Sequence, residues 1–109
     1  MIVNVPAPVA EYLAAERAKN AEKLAQCFAD DAVVHDEGQH HRGKEAIRQW
    51  KEVADAKYQY VSEPLIASTE GDIVKVRARL TGDFPGSPVE LIHVFQVANN
   101  RIQSLEIHS

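Results

Sequence analysis

The stretch that decides the fold is CFADDAVVHD, residues 27–36, because the spacing of its apolar side chains changes from helical to extended. Leu24 and Phe28, with the cysteine between them, fall on one face at helical spacing and predict a short helix that ends at the two aspartates. Residues 32–36 then alternate as a strand does, so that Asp36 shares one face with apolar side chains. The stretch therefore places a strand between the helices of the first half of the chain.

The rest of the sequence predicts two further helices and four further strands. One helix follows Pro8 and buries Tyr12, and a polar loop spans residues 37–42. Another helix begins at Gly43 and ends near Lys57, with a buried stripe made of Ala46, Ile47, Trp50, Val53 and Ala54. The strands span residues 58–68, 73–82, 89–98 and 101–108, with a bulge or a sheet edge at Pro64. Helices on one face of an antiparallel sheet make an α+β fold, and a curled sheet encloses a pocket.

Composition excludes several classes of protein. With 109 residues, the chain has the length of one domain. Its formal charge of −4 disfavours nucleic acid as a partner, and no apolar run is long enough to span a bilayer. The first residues lack a basic segment followed by an apolar one, so we expect no secretory signal. The single cysteine, Cys27, excludes an internal disulfide and suits a reducing, cytoplasmic setting.

The order of elements and three stretches of residues resemble the nuclear transport factor 2-like superfamily. The stretches are YLAA at 12–15, CFADDAVVHD at 27–36 and GKEAIRQW at 43–50, and the nearest branch is SnoaL-like and ketosteroid-isomerase-like. The resemblance implies one SnoaL-like domain over residues 1–109, shaped as a cone. In it, a curved antiparallel or mixed sheet wraps around three N-terminal helices and encloses one mostly apolar pocket. Because this fold hosts isomerases, dehydratases, cyclases and non-catalytic binding domains, it does not define an activity.

Asp36 is the first candidate catalytic residue. It lies at the inner end of an apolar row, where partial desolvation makes a carboxylate a better proton acceptor near neutral pH. The resemblance matches Asp36 to the general base of ketosteroid isomerases. The alternative is a solvated aspartate that ends the strand or caps the following loop.

Tyr12 and His93 are the other two candidates, since both lie on inward faces. The resemblance matches Tyr12 to the tyrosine that donates to the developing oxyanion in ketosteroid isomerases. The alternative is a core tyrosine bonded to the backbone. His93 stands where those isomerases have a protonated aspartic acid, so this chain departs from their pattern. A histidine can donate a hydrogen bond or transfer a proton there, whereas the alternative is a hydrogen-bonded core residue.

The remaining residues considered are predicted ligand contacts and weaker polar candidates. For Trp50 and Tyr60 the alternative to a place in the pocket wall is simple core packing. The five residues predicted to contact a ligand are Val34, Trp50, Tyr60, Leu91 and Phe95. Glu16 lies one turn after Tyr12 on the same face; it is expected in water at the end of its helix, and the alternative is that it reaches the pocket. Lys51 is expected on the solvent-exposed side of its helix. His35, His40 and His41 lie close together but without a fixed ligand spacing, so we expect a solvated loop and no metal site.

Two functional hypotheses follow from these residues. The first is an isomerase, dehydratase or cyclase without a metal or redox cofactor, acting on a small hydrophobic carbonyl or hydroxyl compound. Asp36 would move a proton while Tyr12 and His93 hydrogen-bond the oxygen that gains charge. The second is a non-catalytic ligand-binding or dimerisation module of the same fold. The resemblance also implies a homodimer through the outer sheet face, which would explain the apolar Ile92 and Val94 there.

Overall fold

The computed structural model describes residues 4–109, which form three helices and six strands. The helices are α1 (Ala7–Arg17), α2 (Ala21–Gln26) and α3 (Lys44–Lys57). The strands are β1 (Phe28–Asp36), β2 (Gln39–Arg42), β3 (Tyr60–Glu70), β4 (Ile73–Gly82), β5 (Val89–Ala98) and β6 (Arg101–His108).

All six strands form one mixed sheet in the order β2-β1-β6-β5-β4-β3. Neighbouring strands are antiparallel except β1 and β6, which run parallel. The sheet is curved and unclosed, and the helices pack on one of its faces. The predicted α+β architecture is confirmed, as is the meander from β3 to β6. The bulge predicted at Pro64 is also confirmed, because the pairing register shifts between Pro64 and Ile66.

One face of the sheet is buried because its side chains alternate. In β4, Val74, Val76 and Ala78 are buried while the lysine and the arginine between them are exposed. Val74 and Val76 join one core with side chains from all three helices. The largest fully buried side chains are Tyr12, Leu24, Phe28, Ile47, Phe95, Ile102 and Leu105. Within residues 4–109, no helix is long and apolar enough to cross a membrane.

The end of α1 determines where Lys19 lies. Pro8 occupies the first turn, as predicted, where its missing N–H is not needed. At the other end, the N–H of Lys19 donates to the Glu16 carbonyl (3.1 Å) and that of Asn20 to the Ala15 carbonyl (2.9 Å). This is the Schellman arrangement, which favours glycine at the position of Lys19 because φ there is +57°. A lysine costs about 1 kcal/mol in that left-handed conformation.

The predicted end of the second helix is wrong. α2 ends at Gln26, and Phe28 already belongs to β1 instead of continuing the helix to the aspartates. The Cys27 carbonyl accepts a hydrogen bond from the N–H of Ile102 (2.9 Å), so backbone pairing with β6 begins there. Pairing with another strand therefore outweighs the local helical spacing.

The polar loop predicted over residues 37–42 is also wrong in part. Glu37 and Gly38 have positive φ angles of 53° and 74°, the conformation of a two-residue hairpin turn. Residues 39–42 consequently pair with β1 as β2, with Asp36 opposite Gln39. A short, polar edge strand has no apolar alternation, so its sequence is indistinguishable from that of a loop.

α3 has the predicted boundaries but not the predicted buried stripe. Ile47 is buried, whereas Val53 is 65% exposed and Lys51, expected in water, is only 2% exposed. Glu16, also expected in water, is buried. The physical reason is that α3 packs on both the core and a cavity. Ile47 faces the core, whereas the rest of the stripe borders the cavity together with Lys51.

Candidate functional site

A cavity of about 820 Å³ lies between α3, the β1–β2 hairpin and strands β3–β5. Its apolar and aromatic lining includes Trp50, Val53, Ala54, Tyr58, Leu80, Phe84, Val89 and Leu91. Its polar lining includes Glu16, Asp36, Glu37, His41, Lys51, Tyr60 and His93. A space of this size, mostly apolar with a few convergent polar groups, is typical of small-molecule sites.

Asp36 is held at the edge of the cavity by a tryptophan. It is the last residue of β1, half-buried, and directly precedes the tight turn at Glu37. Its Oδ2 accepts a hydrogen bond from the indole Nε1 of Trp50 (3.1 Å), which reaches across from α3. The ring of His41 lies 6.0 Å from that of Trp50. The indole therefore fixes the direction of the carboxylate. A solvated aspartate at the end of a strand would not need a hydrogen bond from a tryptophan.

His93 lines the cavity from β5, and Tyr12 lies behind it in the core. Their rings meet edge to face at 6.5 Å, and Phe95 packs against both. Among residues 4–109, neither the Tyr12 hydroxyl nor His93 Nδ1 has a hydrogen-bond partner. Burial lowers the pKa of His93 below its ordinary value of 6.5, against the opposing effect of the Glu16 carboxylate. His93 is therefore a neutral imidazole near pH 7.

Lys51 places a buried positive charge on the same cavity. Its Nζ lies 3.1 Å from Glu16 Oε2 and 3.3 Å from Asp55 Oδ1, and it also donates to the Tyr60 hydroxyl. Burial by itself lowers the pKa of an ammonium, but Glu16, Tyr60 and Asp55 raise the pKa of Lys51 above its ordinary value. Lys51 is therefore charged; it donates to Glu16 and Tyr60 and forms an ion pair with Asp55.

The Tyr60 side chain is fixed at its hydroxyl and on its ring. The hydroxyl accepts from Lys51 and donates to Asp55 Oδ1 (3.3 Å). Lys19 Nζ lies 3.8 Å from the ring centroid and donates to the Tyr60 carbonyl (2.8 Å). Burial first, and then the Glu16 carboxylate, raise the pKa of Tyr60 to about 12. We refer to Glu16, Lys19, Lys51, Asp55 and Tyr60 as the Tyr60 cluster, in which two lysines balance two carboxylates.

Comparison with protein families assigns the chain. The model of the SnoaL-like domain matches residues 9–105. The chain belongs to the SnoaL-like family. The resemblance noted from the sequence is thus confirmed, while a search of curated proteins finds no match.

Solved structures support the same SnoaL-like assignment. A candidate polyketide cyclase from Sinorhizobium meliloti is 42% identical, with 95% of each chain covered and a TM-score of 0.92. A protein with a ketosteroid isomerase-like fold from Catenulispora acidiphila, in complex with trimethylamine, is 25% identical. The match covers 97% of this chain and 87% of that one, with a TM-score of 0.86. An NTF2-like protein from Cytophaga hutchinsonii shares the fold alone, at 15% identity, with 99% and 91% of the chains covered and a TM-score of 0.79.

The predicted ligand contacts of this SnoaL-like domain divide into two groups. Trp50, Tyr60 and Leu91 line the cavity. Val34 and Phe95 are fully buried and belong to the core beside it. Val34 precedes the cavity-lining Asp36 by two residues, and Phe95 follows the cavity-lining His93 by two residues. Each pair shares one face of its strand, but only one member of the pair reaches the cavity. Period-two alternation identifies the inner face but not the depth at which the core ends and the cavity begins.

Lys51 and Asp55 are site residues that sequence reasoning missed, whereas Glu16 lines the cavity, which was the alternative to its expected place in water. A signal was present, because Glu16 follows the buried Tyr12 by four residues and Lys51 follows the buried Ile47 by four. Residues four apart share one helix face. One acid and one base on two core-facing stripes therefore indicate a buried ion pair between α1 and α3.

The histidines of the β1–β2 hairpin are not arranged as a metal site in residues 4–109. His35 and His40 are paired residues, and their rings pack edge to face at 4.2 Å. His35 alternates with Asp36 along β1, so the pair lies on the face of the sheet away from the cavity. In the part of the chain that the structure describes, no group of three or more His, Cys, Asp or Glu side chains is placed to hold a metal ion.

Proposed function

We propose that this SnoaL-like domain binds a small hydrophobic carbonyl or hydroxyl compound and moves a proton on it, as isomerases, dehydratases and cyclases do. The observation that carries this proposal is that the Asp36 carboxylate and the neutral His93 imidazole line one cavity. A carboxylate accepts a proton, and a neutral imidazole donates a hydrogen bond to an oxygen that gains charge. The two groups therefore supply complementary roles on one ligand.

The apolar lining supports a hydrophobic ligand. Val53 is 65% exposed although it lies on an apolar stripe of α3, and it borders the cavity beside Leu80 and Leu91. Such side chains contribute binding free energy of about 25 cal/mol for each Å² that a ligand removes from water. A ligand that covers this lining would be apolar over most of its surface, with its oxygen directed to the polar residues.

Within this proposal, Trp50 keeps the Asp36 carboxylate directed at the ligand through its 3.1 Å hydrogen bond. His93 donates to the ligand oxygen. Tyr12 lies in the core behind His93 and outside the cavity lining, so its hydroxyl, which has no partner within residues 4–109, would reach the ligand oxygen only if the His93 ring moved aside. Proton transfer of this kind requires no metal or redox group.

Titration with para-nitrophenol, which mimics an enolate, tests the proposal. Binding is measured by calorimetry with the unsubstituted protein, with Asp36→Asn, and with Asp31→Asn, an exposed aspartate of the same strand, as the matched control. Because two negative charges repel, Asp36→Asn is expected to bind the phenolate about tenfold more tightly, and Asp31→Asn unchanged. If neither the unsubstituted protein nor Asp36→Asn binds, the proposal is wrong.

A second candidate function is non-catalytic binding of a small organic cation. Trp50, Tyr58, Tyr60 and Phe84 supply aromatic walls, and Asp36 supplies a negative charge. Aromatic faces and a carboxylate recognise quaternary ammonium groups. The relative at 25% identity is in complex with trimethylamine. Tetramethylammonium distinguishes the two functions, because a cation site would bind it and lose it in Asp36→Asn, opposite to the result for the phenolate.

For assembly, we propose a homodimer through the outer sheet face. Ile92 and Ile66 flank Arg77 on that face, and Val94 lies beside Lys75. A second copy of the chain would bury these apolar side chains. Light scattering after gel filtration is expected to give a dimer that Ile92→Asp converts to a monomer, while Val53→Asp, at an exposed valine on the other side of the sheet, remains dimeric.

The single buried thiol, Cys27, whose pKa burial raises to about 11, suits the reducing cytoplasmic setting inferred from the sequence.

A further inference from the structure

The Tyr60 side chain faces the cavity and is held in place by three neighbouring residues. Lys51 donates to its hydroxyl, Asp55 accepts from it, and Lys19 lies against its ring and bonds its carbonyl. Lys19 does this from a left-handed backbone position that favours glycine. A hydroxyl that is fixed before a ligand arrives donates to that ligand without first losing rotational freedom. This arrangement suits a binding role better than the unbonded hydroxyl of Tyr12 does.

The hydroxyl proton of Tyr60 is only weakly engaged. Its acceptor, Asp55 Oδ1, lies 3.3 Å away, whereas hydrogen bonds between oxygens ordinarily span about 2.5–3.0 Å. Lys51 occupies the acceptor side of the same hydroxyl, and a hydroxyl that accepts from a cation becomes a stronger donor. The proton is therefore available to an oxygen that approaches from the cavity at a shorter distance.

Resting on the function proposed above, we infer that Tyr60 donates its hydroxyl proton as a hydrogen bond to the ligand's oxygen, with Lys51 as the positioning residue behind it. The site then favours a ligand whose oxygen is anionic or becomes so, such as a phenolate or an enolate. The ligand oxygen and the Asp55 carboxylate compete for the same hydroxyl proton of Tyr60. An anionic oxygen is a stronger hydrogen-bond acceptor than a neutral ketone, so it displaces the carboxylate more readily. Lys51, 5.0 Å from the centre of the Tyr60 ring, adds an attraction for the same charge.

Two near-isosteric substitutions with opposite expected signs test this inference. Calorimetry measures the affinity for para-nitrophenolate and for nitrobenzene, which has the same ring and nitro group but no phenolic oxygen. The unsubstituted protein is expected to prefer the phenolate by about tenfold or more, the contribution of one charge-assisted hydrogen bond. Tyr60→Phe should reduce that preference by about tenfold, while the hydrogen bond from His93 remains, without changing the affinity for nitrobenzene. Asp55→Asn should increase the affinity for the phenolate, because it replaces the competing carboxylate with a weaker, neutral acceptor and removes a negative charge.

The possible outcomes separate this inference from the proposed function. If Tyr60→Phe retains the preference for the phenolate, the inference is wrong while the proposed function stands. If Tyr60→Phe and Asp55→Asn both weaken nitrobenzene and phenolate alike, the Tyr60 cluster only supports the shape of the cavity, and the inference is again wrong. If neither the unsubstituted protein nor Asp36→Asn binds either compound, the proposed function fails and the inference fails with it.

Discussion

Replacing Lys51 by methionine is expected to lower the free energy of unfolding by about 3–5 kcal/mol. Methionine has a similar length but no charge, so the Glu16 carboxylate would remain buried without its main counter-ion. The two side chains are 3% and 7% exposed, and their charged atoms are 3.1 Å apart. At an effective dielectric constant of about 20, charges at that distance interact by about 5 kcal/mol, which sets the upper end of the expected loss.

Urea unfolding followed by circular dichroism measures this loss. The matched control is Lys44→Met, because Lys44 pairs with Asp30 at a similar distance of 3.3 Å, but with side chains that are 40% and 97% exposed. Surface pairs contribute about 0–1 kcal/mol, so the control should stay close to the unsubstituted protein. Lys51→Met should also lower the melting temperature by more than about 12 °C, given 4–8 °C per kcal/mol in a domain of about this size.

A double-mutant cycle identifies the partner. Glu16→Gln alone also leaves a buried charge underpaired, but Glu16→Gln combined with Lys51→Met removes both charges. The double variant is therefore expected to lose at least about 2 kcal/mol less than the sum of the two single losses. If the losses are additive, or if Lys51→Met costs no more than Lys44→Met, the two charges are solvated or not paired in solution and this reasoning is wrong.

Three further predictions concern single residues of the site. Tyr12→Phe should leave the melting temperature unchanged or slightly higher, since the lost hydroxyl is buried without a partner within residues 4–109, and a large decrease would reveal a structural hydrogen bond. Because burial lowers the pKa of His93 in the folded state, the unfolded chain binds this proton more readily. Stability should therefore fall as the pH drops below about 6.5, less steeply in His93→Asn, and equal slopes in urea titrations would contradict this assignment. Lys19→Gly relieves a left-handed backbone strain of about 1 kcal/mol, so it should preserve or raise stability in thermal melts while weakening binding of the phenolate, and unchanged binding would show that Lys19 does not fix Tyr60.

Most of the fold could be predicted from local periodicity. The alternation of Val74, Val76 and Ala78 with charged residues indicated β4, and the stripe through Ile47 indicated α3. Both patterns hold because one face of each element is buried in the core. β2 could not be predicted in this way, since an edge strand of four polar residues buries neither face. It pairs with β1 because the positive φ angles of Glu37 and Gly38 form the tight turn between the two strands.

The candidate site was predictable only in part, and the reason is physical. Asp36 ends an apolar row and His93 interrupts one, and the resemblance to ketosteroid isomerases distinguished both from other polar residues. The burial of Lys51 was missed, and water was the expected surroundings of Glu16, because a charge on a helix is ordinarily solvated and each is buried only through the other. Patterns along the chain show one residue's surroundings, whereas a buried ion pair depends on two elements that meet in space.

This pairing also explains why the cavity combines an apolar lining with a charged wall. α1 and α3 contribute Tyr12 and Ile47 to the core, and one helical turn later they contribute Glu16 and Lys51 to the cavity. Because the spacing of four residues keeps each pair on one face, the packing that buries the apolar side chains also brings the opposite charges together. Lys51 in turn donates to Tyr60, so the direction of that hydroxyl depends on where the Glu16–Lys51 ion pair holds α1 relative to α3. A core substitution that shifts α1 should therefore change ligand preference before it unfolds the domain.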